Sequence, residues 1–128
     1  MLSFKTDTTL LRCGIDSEHI ERFSKWDQDG NTPSPLIFSN KEIKHCSSLE
    51  KPYIGFCVSF CCKEAVFKAL EGPYDFTECE LLWIPGHDNF QCNLNDELLN
   101  KHQIKNNRIC VELTENNESI VTVYLLGK

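Results

Sequence analysis

Two acidic residues stand out because of the segments in which they occur. Asp16 follows Gly14 at the end of a short apolar segment, and Glu64 lies inside the dense apolar segment Pro52–Leu70. A carboxylate is costly to bury without a partner, so a charge in such a segment needs either solvent or a specific role. Both residues are therefore candidates for chemistry.

The spacing within the apolar segment also brings a cation into consideration. A helix would place Glu64 and Lys68 on the same face, because residues four apart are neighbours on a helix. They could then form an ordinary ion pair on a solvated face, which stabilises a helix by only about 0.3–0.5 kcal/mol. Asp16 could likewise serve as the N-cap of a following helix. Spacing alone leaves the structural and the functional interpretations open.

The residues around Asp16 predict a strand that leads into a helix. Residues 8–15 (TTLLRCGI) have the composition of a short strand, and residues 17–26 carry apolar side chains at helical spacing. Asp16 would then lie at the junction of the two elements. A polar, turn-rich loop over residues 27–35 separates them from the rest of the chain.

Two helices are expected in the middle of the chain. Ser39 and Glu42 match the S-x-x-E capping box, in which the two side chains satisfy free backbone amides, so a short helix should run to about Ser48. The segment Pro52–Leu70 is too uniformly apolar for a surface helix with a narrow stripe, and the sequence EGP ends it. We expect this segment to be the central helix.

The second half of the chain has strand-like composition. Asn116 and Asn117 would supply a hairpin turn, and residues 96–103 could form a small helix. The pattern predicts the α+β class, with an antiparallel sheet packed against one long central helix. The segments expected to be strands are residues 80–84, 90–94, 109–113 and 120–126.

Size and hydropathy are those of an ordinary globular protein. The chain has 128 residues, of which 41% are hydrophobic and 25% charged, and we expect residues 1–128 to form one domain. No apolar run approaches the roughly 18 residues that cross a bilayer, and the opening residues lack the apolar core of a signal peptide. We therefore expect a cytoplasmic protein that does not associate with membranes.

The net charge of −6 is unevenly distributed. Residues 1–68 contain nine basic and nine acidic side chains, whereas residues 69–128 contain four basic and ten acidic ones, so the whole excess lies in the second half. A nucleic-acid-binding protein would need a clustered basic face, and we therefore expect no nucleic-acid partner.

Eight cysteines occur without any CxxC pair. Several alternate with apolar neighbours, as Cys92 does between Phe90 and Leu94, and a free thiol is readily buried. We predict that most of them are small core residues. A structural zinc site is less favoured, because the sequence lacks the usual pairs of closely spaced ligands.

Three segments together resemble the bacterial holo-acyl-carrier-protein synthase family of 4'-phosphopantetheinyl transferases. The most specific part is a GxD sequence followed by FxxKEAxxK, and residues 109–126 resemble the closing hairpin of that family. The resemblance therefore covers nearly the entire chain. The three segments are residues 13–23 (CGIDSEHIERF), 37–46 (IFSNKEIKHC) and 59–70 (SFCCKEAVFKAL).

The resemblance implies an enzyme of fatty acid biosynthesis, usually a homotrimer with active sites between subunits. Such an enzyme moves the 4'-phosphopantetheine arm of coenzyme A to a serine of an acyl carrier protein and releases adenosine 3',5'-bisphosphate. Asp16 and Glu64 match its metal ligands, which suits Mg²⁺ because that ion prefers carboxylate, phosphate and water oxygens. Either Glu64, acting through water, or Lys68, if its pKa is lowered, would remove the serine proton.

The resemblance also assigns the remaining contacts. Lys63 and Lys68 would be the cations at the pyrophosphate. Phe60 and Thr114 would contact coenzyme A. Arg22 and Lys25 would face the acidic carrier protein.

A non-enzymatic interpretation stays open beside this one. Ser59 stands where members of the family commonly carry a basic residue, and Thr114 and Glu115 stand where they carry a Ser-His pair. Both differences remove potential contacts to coenzyme A. They favour a catalytically weakened, transferase-like subunit that binds carrier proteins or assembles as a structural trimer.

Overall fold

The computed structural model of the chain describes residues 9–24, 33–87 and 89–127. The described residues form six strands, three α-helices and two short 3₁₀ turns, Ile20–Phe23 and Phe76–Glu78. In chain order, the strands and α-helices are β1 (Thr9–His19), α1 (Asn40–Ser47), α2 (Pro52–Leu70), β2 (Cys79–Glu80), β3 (Asn89–Phe90), β4 (Asn93–Leu94), α3 (Asp96–His102), β5 (Asn106–Leu113) and β6 (Glu118–Gly127).

The main sheet is antiparallel, with the strand order β1-β6-β5-β3, and a second small sheet pairs β2 with β4. The strands β5 and β6 form a hairpin whose turn includes Asn117 at a positive φ of 59°, which confirms the predicted turn. The register of β1 on β6 places Asp16 opposite Val121. The predicted α+β class, with an antiparallel sheet against a long helix, is confirmed.

Helix α2 forms the centre of the core. Its side chains Cys61, Ala65 and Val66 are fully buried and belong to one apolar cluster with Val121 and Val123 of β6. The 3₁₀ turn after β1 and helix α1 pack against α2 in a second cluster. Within the described residues, no helix has the length and apolar character needed to span a bilayer.

Both predicted central helices are confirmed. The capping box at the start of α1 is present, with Ser39 accepting a hydrogen bond from the backbone of Glu42 and the Glu42 side chain accepting one from the backbone of Ser39. Helix α2 ends where Glu71 takes a left-handed conformation, with a φ of 59°. Six of the eight cysteines are buried, as predicted, whereas Cys13 is exposed.

The helix predicted over residues 17–26 is wrong for its first turn. The ladder with β6 continues to His19, so residues 17–19 extend β1, and only Ile20–Phe23 turn into a 3₁₀ helix. Residues 25 and 26 lie outside the described residues. Asp16 is therefore inside a strand, and the interpretation of this residue as a helix N-cap is also wrong.

Two predicted strands are much shorter than expected. Of residues 80–84 only Glu80 is in a strand, because the backbone amide of Leu81 donates to the Glu42 carboxylate, 2.9 Å away, instead of a neighbouring strand. Residues 90–94 divide between two sheets. The Asn107 side chain bonds to the backbone N and O of Cys92 and replaces the ladder there.

Strand β1 approaches α2 closely at Gly14. A Cβ atom at this position would overlap the carbonyl oxygen of Ala65 and lie 2.8 Å from the backbone nitrogen of Ala69. Only glycine lets the strand backbone lie directly on the helix backbone here. This contact sets the distance between β1 and α2.

Replacing Gly14 by Ala should therefore lower the free energy of unfolding by about 3 kcal/mol, because backbone atoms have to move apart. Gly72→Ala is the matched control, since its added Cβ meets nothing within 4 Å and should change stability by less than about 0.5 kcal/mol. Urea unfolding followed by circular dichroism measures both. Equal stability of the two variants would show that the close approach at Gly14 is unimportant.

Candidate functional site

The alternation of β1 presents two carboxylates on one face of the strand. Successive side chains in a strand point to opposite faces, so Gly14, Asp16 and Glu18 share the face that lies on α2. Ile15 and Ser17 point the other way and are exposed. The GxD sequence is therefore a strand pattern. Its glycine lets β1 contact the α2 backbone, and its aspartate, two residues later, lies on the same face of the strand.

Asp16 is held by a cation from α2. The Lys68 Nζ atom donates to Asp16 Oδ1 at 2.9 Å and to the backbone oxygen of Ile15 at 3.1 Å. The Asp16 side chain is 10% exposed and that of Lys68 is 52% exposed, so this ion pair lies at the edge of the core. Lys68 thus pairs with Asp16 across the β1–α2 contact, and the described ion pairs contain none between Lys68 and Glu64.

The second oxygen of Asp16 has no such partner. Asp16 Oδ2 is shielded from solvent and lacks a hydrogen-bond partner among the described residues. Glu18 is the adjacent carboxyl, and burial together with the negative charge of Asp16 raises its pKa, against the opposing effect of Arg22. The two carboxyl groups therefore repel each other when both are ionised.

Glu64 is the third carboxyl of the cluster. It lies one helical turn before Lys68 on α2, near enough to Asp16 for the two charges to interact. Burial and the charge of Asp16 raise the pKa of Glu64, whereas Lys68 and Arg22 act in the opposite direction. The cluster of Asp16, Glu18 and Glu64 thus carries more negative charge than its two cations neutralise.

The surplus of negative charge at Asp16, Glu18 and Glu64 suits a hard divalent cation. The donors are carboxylate oxygens, the type that Mg²⁺ prefers, and the orphaned Asp16 Oδ2 lacks only a positive partner. In the described part of the chain, no three acidic or histidine side chains bring their ligand atoms within 4.8 Å of one another. A bound Mg²⁺ would therefore keep several water or phosphate ligands, as this ion usually does.

Lys68 does not meet the condition for acting as a base. Its pKa is raised, first by the hydrogen bond to Asp16 and also by the charges of Asp16 and Glu64. Its ammonium group therefore keeps its proton at neutral pH. The condition under which Lys68 would remove the serine proton, a lowered pKa, is therefore not met in this structure.

Lys63 lies away from this cluster, in the protein interior. Its side chain is 0% exposed, and its ammonium group pairs with Glu42 Oε1 at 2.9 Å. It also donates to the backbone oxygen of Phe76 at 2.8 Å and to that of Cys79. Since an ammonium group has three protons, none is left for a phosphate. The prediction that Lys63 meets the pyrophosphate is wrong in this structure.

Ser59 belongs to the same interior network. Its hydroxyl donates to Glu42 Oε2 at 2.8 Å, and the Ser59 side chain is buried. The residue that differs from the family pattern therefore stabilises the buried Glu42 carboxylate. It does not line the surface on which a ligand would bind.

Arg22 and Phe60 form the neighbouring surface. The Arg22 guanidinium bonds to Glu18 and lies 5.7 Å from the centres of the Phe60 and Phe23 rings. The Phe60 ring also packs against Phe76, with centroids 6.3 Å apart. Arg22 remains 62% exposed beside the carboxylates. Lys25, the second residue predicted to face a carrier protein, lies outside the described residues.

Thr114 is not in the carboxylate cluster. Its backbone amide and its side-chain Oγ1 both bond to Glu118, at 2.9 and 3.2 Å, within the β5–β6 turn. Asp16 pairs with Val121, which lies three residues beyond Glu118 on β6. The Thr114–Glu118 pair is therefore about 10 Å of strand away from Asp16. The turn itself lies beside the end of β1, since the amide of Ile20 donates to the oxygen of Asn117.

Glu18 is the residue of this site that sequence reasoning missed. The expected helix from residue 17 onward would have placed it on a different face from Asp16. A strand extended to His19 places the two carboxyls two residues apart on the same face. The signal was the pair of acidic residues at alternate positions after Gly14, a spacing of two that matches the period of a strand.

The sequence model of the 4'-phosphopantetheinyl transferase superfamily matches residues 12–122 of the chain. This range contains Asp16, Glu18, Glu64 and Lys68. A comparison with the curated proteins finds no match.

Several solved structures share the fold of this chain. The holo-[acyl-carrier-protein] synthase of Neisseria meningitidis superposes with a TM-score of 0.75 at 15% identity, covering 91% of this chain and 98% of its own. The Helicobacter pylori holo-[acyl-carrier-protein] synthase in complex with coenzyme A superposes with a TM-score of 0.70 at 21% identity, covering 88% of this chain and 98% of its own. The Plasmodium yoelii holo-ACP-synthase superposes with a TM-score of 0.75 at 12% identity, covering 96% of this chain and 99% of its own. At these identities the likeness establishes the fold.

The buried ion pair makes a prediction about stability. Replacing Lys63 by Met should lower the free energy of unfolding by about 3–5 kcal/mol, because the Glu42 carboxylate would stay buried without its cation. Lys41→Met is the control, since Lys41 is an exposed lysine of α1 and should contribute less than about 0.5 kcal/mol. Urea unfolding compares the two. Similar losses would contradict the structural role of Lys63.

The raised pKa of Glu64 predicts a pH-dependent effect on stability. Its folded-state pKa lies above the ordinary 4.5, so ionising Glu64 destabilises the folded chain as the pH rises through the folded value. In a chelator, Glu64→Gln should therefore melt at a higher temperature than the wild type at pH 7.5, and the difference should shrink toward pH 4.5.

Glu112→Gln, an exposed position on β5, is the control for this measurement. Thermal melts at both pH values are compared for the three proteins. A Glu64→Gln variant that is less stable than the wild type at pH 7.5 would mean that Lys68 and Arg22 outweigh Asp16 and burial.

Proposed function

The chain belongs to the 4'-phosphopantetheinyl transferase superfamily, and on this basis we propose that it transfers the 4'-phosphopantetheine arm of coenzyme A to a serine of an apo acyl carrier protein. The observation that carries the proposal is the Asp16 carboxylate, which is paired with the Lys68 ammonium group through one oxygen and has its other oxygen without a partner among the described residues, next to the carboxyl groups of Glu18 and Glu64. Such a site suits a divalent ion and a pyrophosphate together.

Asp16 and Glu64 are the proposed ligands of Mg²⁺. When bound, the ion would supply positive charge to the pyrophosphate of coenzyme A. The half-exposed Lys68 ammonium group, fixed by Asp16 and the backbone of Ile15, supplies a second positive charge at the same place. These charges stand ready before the reaction, so stabilising the charged transition state requires little rearrangement.

In the proposed reaction, the serine hydroxyl oxygen of the carrier protein attacks the β-phosphorus of coenzyme A. The new bond joins this oxygen to phosphorus, and the bond between phosphorus and adenosine 3',5'-bisphosphate breaks. Glu64 accepts the serine proton through a water molecule, because the ion pair with Asp16 keeps Lys68 protonated. The proton and the leaving group are thus both accounted for.

The surface around Arg22 is the proposed docking site of the carrier protein. The Arg22 side chain is exposed beside the carboxylates, and Lys25 follows it in the sequence. Basic residues at the rim of an interface mainly increase the encounter rate with an acidic partner. Phe60 and Thr114 are proposed to contact the donor, Phe60 next to Arg22 and Thr114 from the hairpin turn.

A homotrimer with sites between subunits is the proposed assembly. Edge strand β1 exposes Leu10, Leu11 and Ile15, and the end of β5 exposes Leu113, which supports burial of these side chains against another copy. Six of the eight cysteines are buried as thiols, as is typical of proteins from a reducing compartment, and we propose that the protein acts in the cytoplasm.

The activity is tested by the intact mass of a purified apo acyl carrier protein after incubation with this protein, coenzyme A and Mg²⁺. We expect a phosphopantetheine adduct that a chelator abolishes. Asp16→Asn and Glu64→Gln should each slow its formation by about 100-fold or more, because each removes a proposed metal ligand. Glu112→Gln, which is exposed and outside the site, should react like the wild type.

Circular dichroism shows that each variant is folded, and light scattering gives the size of the assembly. Absence of an adduct with several carrier proteins, from a folded wild type, would overturn the transferase assignment. Carrier binding that persists without an adduct and is unaffected by Asp16→Asn would instead identify a carrier-binding subunit.

A further inference from the structure

Three buried thiols meet on the side of α2 that faces the small sheet. They come from three elements: Cys62 from α2, Cys79 from the start of β2 and Cys92 from the link between β3 and β4. Their sulfur atoms all lie within 4.8 Å of one another. Their exposed fractions are 0%, 0% and 6%. In the described part of the chain, this is the one group of three or more potential ligand side chains at such distances.

The backbone holds each of these cysteines independently. Cys79 pairs with Leu94 in the β2–β4 ladder. The backbone N and O of Cys92 bond to the Asn107 side chain at 2.9 and 3.0 Å. Cys62 lies in the interior of α2, between the fully buried Cys61 and Lys63. The three sulfur atoms therefore converge without depending on one another for their position.

Their separation is close to that of a metal thiolate site. A metal–sulfur bond of about 2.3 Å places three sulfur ligands roughly 3.8–4.0 Å apart, depending on whether the site is tetrahedral or planar. The observed limit of 4.8 Å means that the most distant pair of sulfur atoms would have to move together by at most about an ångström. A disulfide would involve two of the three sulfurs and leave the third unused.

We propose that Cys62, Cys79 and Cys92 form a three-thiolate site for a thiophilic d¹⁰ metal ion. Binding would form three metal–sulfur bonds and release the three thiol protons to solvent, with no change of oxidation state. The site is chemically distinct from the Asp16 cluster, because soft thiolates select Zn²⁺ or Cu⁺, whereas carboxylates select Mg²⁺. It joins β2 and the β3–β4 link to the helix that carries Glu64.

The two candidate ions differ in the ligands they require. Cu⁺ is satisfied by three thiolates, whereas Zn²⁺ in structural sites takes a fourth ligand. The Tyr74 hydroxyl already donates to the backbone oxygen of Lys63 at 2.9 Å, and the group of potential ligand side chains in the described residues has three members. The site therefore suits Cu⁺ directly, whereas Zn²⁺ would need a water molecule as its fourth ligand.

The test uses the full chain, produced in medium supplemented with zinc and copper salts and purified under argon without chelator. Elemental analysis should find close to one Zn²⁺ or Cu⁺ per chain in the wild type. The element found identifies which of the two ions the site takes.

Cys92→Ala should lose the metal, because it removes one ligand at the most accessible of the three positions. The matched control is Cys46→Ala, which removes a buried thiol outside the cluster and should retain one metal per chain. Titration of the reduced wild type with Cd²⁺ should give a thiolate charge-transfer band that saturates at one ion per chain. The bound ion should also raise the melting temperature.

The proposal fails if the wild type, also after refolding with Zn²⁺, Cu⁺ or Cd²⁺ present, binds none of them. It fails equally if Cys92→Ala binds metal as well as Cys46→Ala does, or if mass analysis finds a disulfide within the cluster in place of metal. The wild-type titrations decide the question even if Cys92→Ala does not fold.

Discussion

The direct packing of the β1 backbone on the α2 backbone is the contact on which the rest of the structure depends. It exists because Gly14 has no side chain where Ala65 and Ala69 approach. Since side chains alternate along a strand, the same contact directs Asp16 toward α2 and within 2.9 Å of Lys68. A wider separation would leave the carboxylate in solvent. The site is thus a consequence of how closely a strand can approach a helix.

Two lysines five residues apart on α2 show how burial decides the role of a side chain. Lys63 is fully enclosed, and its three donors are used by Glu42 and two backbone oxygens. Lys68 is half exposed and holds a carboxylate at the surface. The first contributes to stability, because a buried charge needs every partner it has. The second is half exposed and can reach an anionic ligand, which is why we propose that it contacts the pyrophosphate.

Helix α2 therefore supports two kinds of chemistry on different faces. Around Glu64 the donors are carboxylate oxygens with surplus negative charge, which suits a hard ion bound together with phosphates. Around Cys62 the donors are sulfur atoms sealed from solvent, which suits a soft ion that stays bound. The interior network of Glu42, Lys63 and Ser59 lies next to the thiols and fixes the helix against α1 and the small sheet.

The sequence by itself determined the α+β class, the central helix with its ends and the capping box before α1, and it identified Asp16, Glu64 and Lys68 as candidate site residues. These follow from local patterns, namely periodicity, capping chemistry and a short motif. Tertiary structure alone decided that β1 continues past Asp16 and aligns Glu18, that Lys63 is buried, and that three cysteines far apart in sequence meet. Each of these depends on contacts between distant segments, and spacing along one chain carries no information about which distant segments pack together.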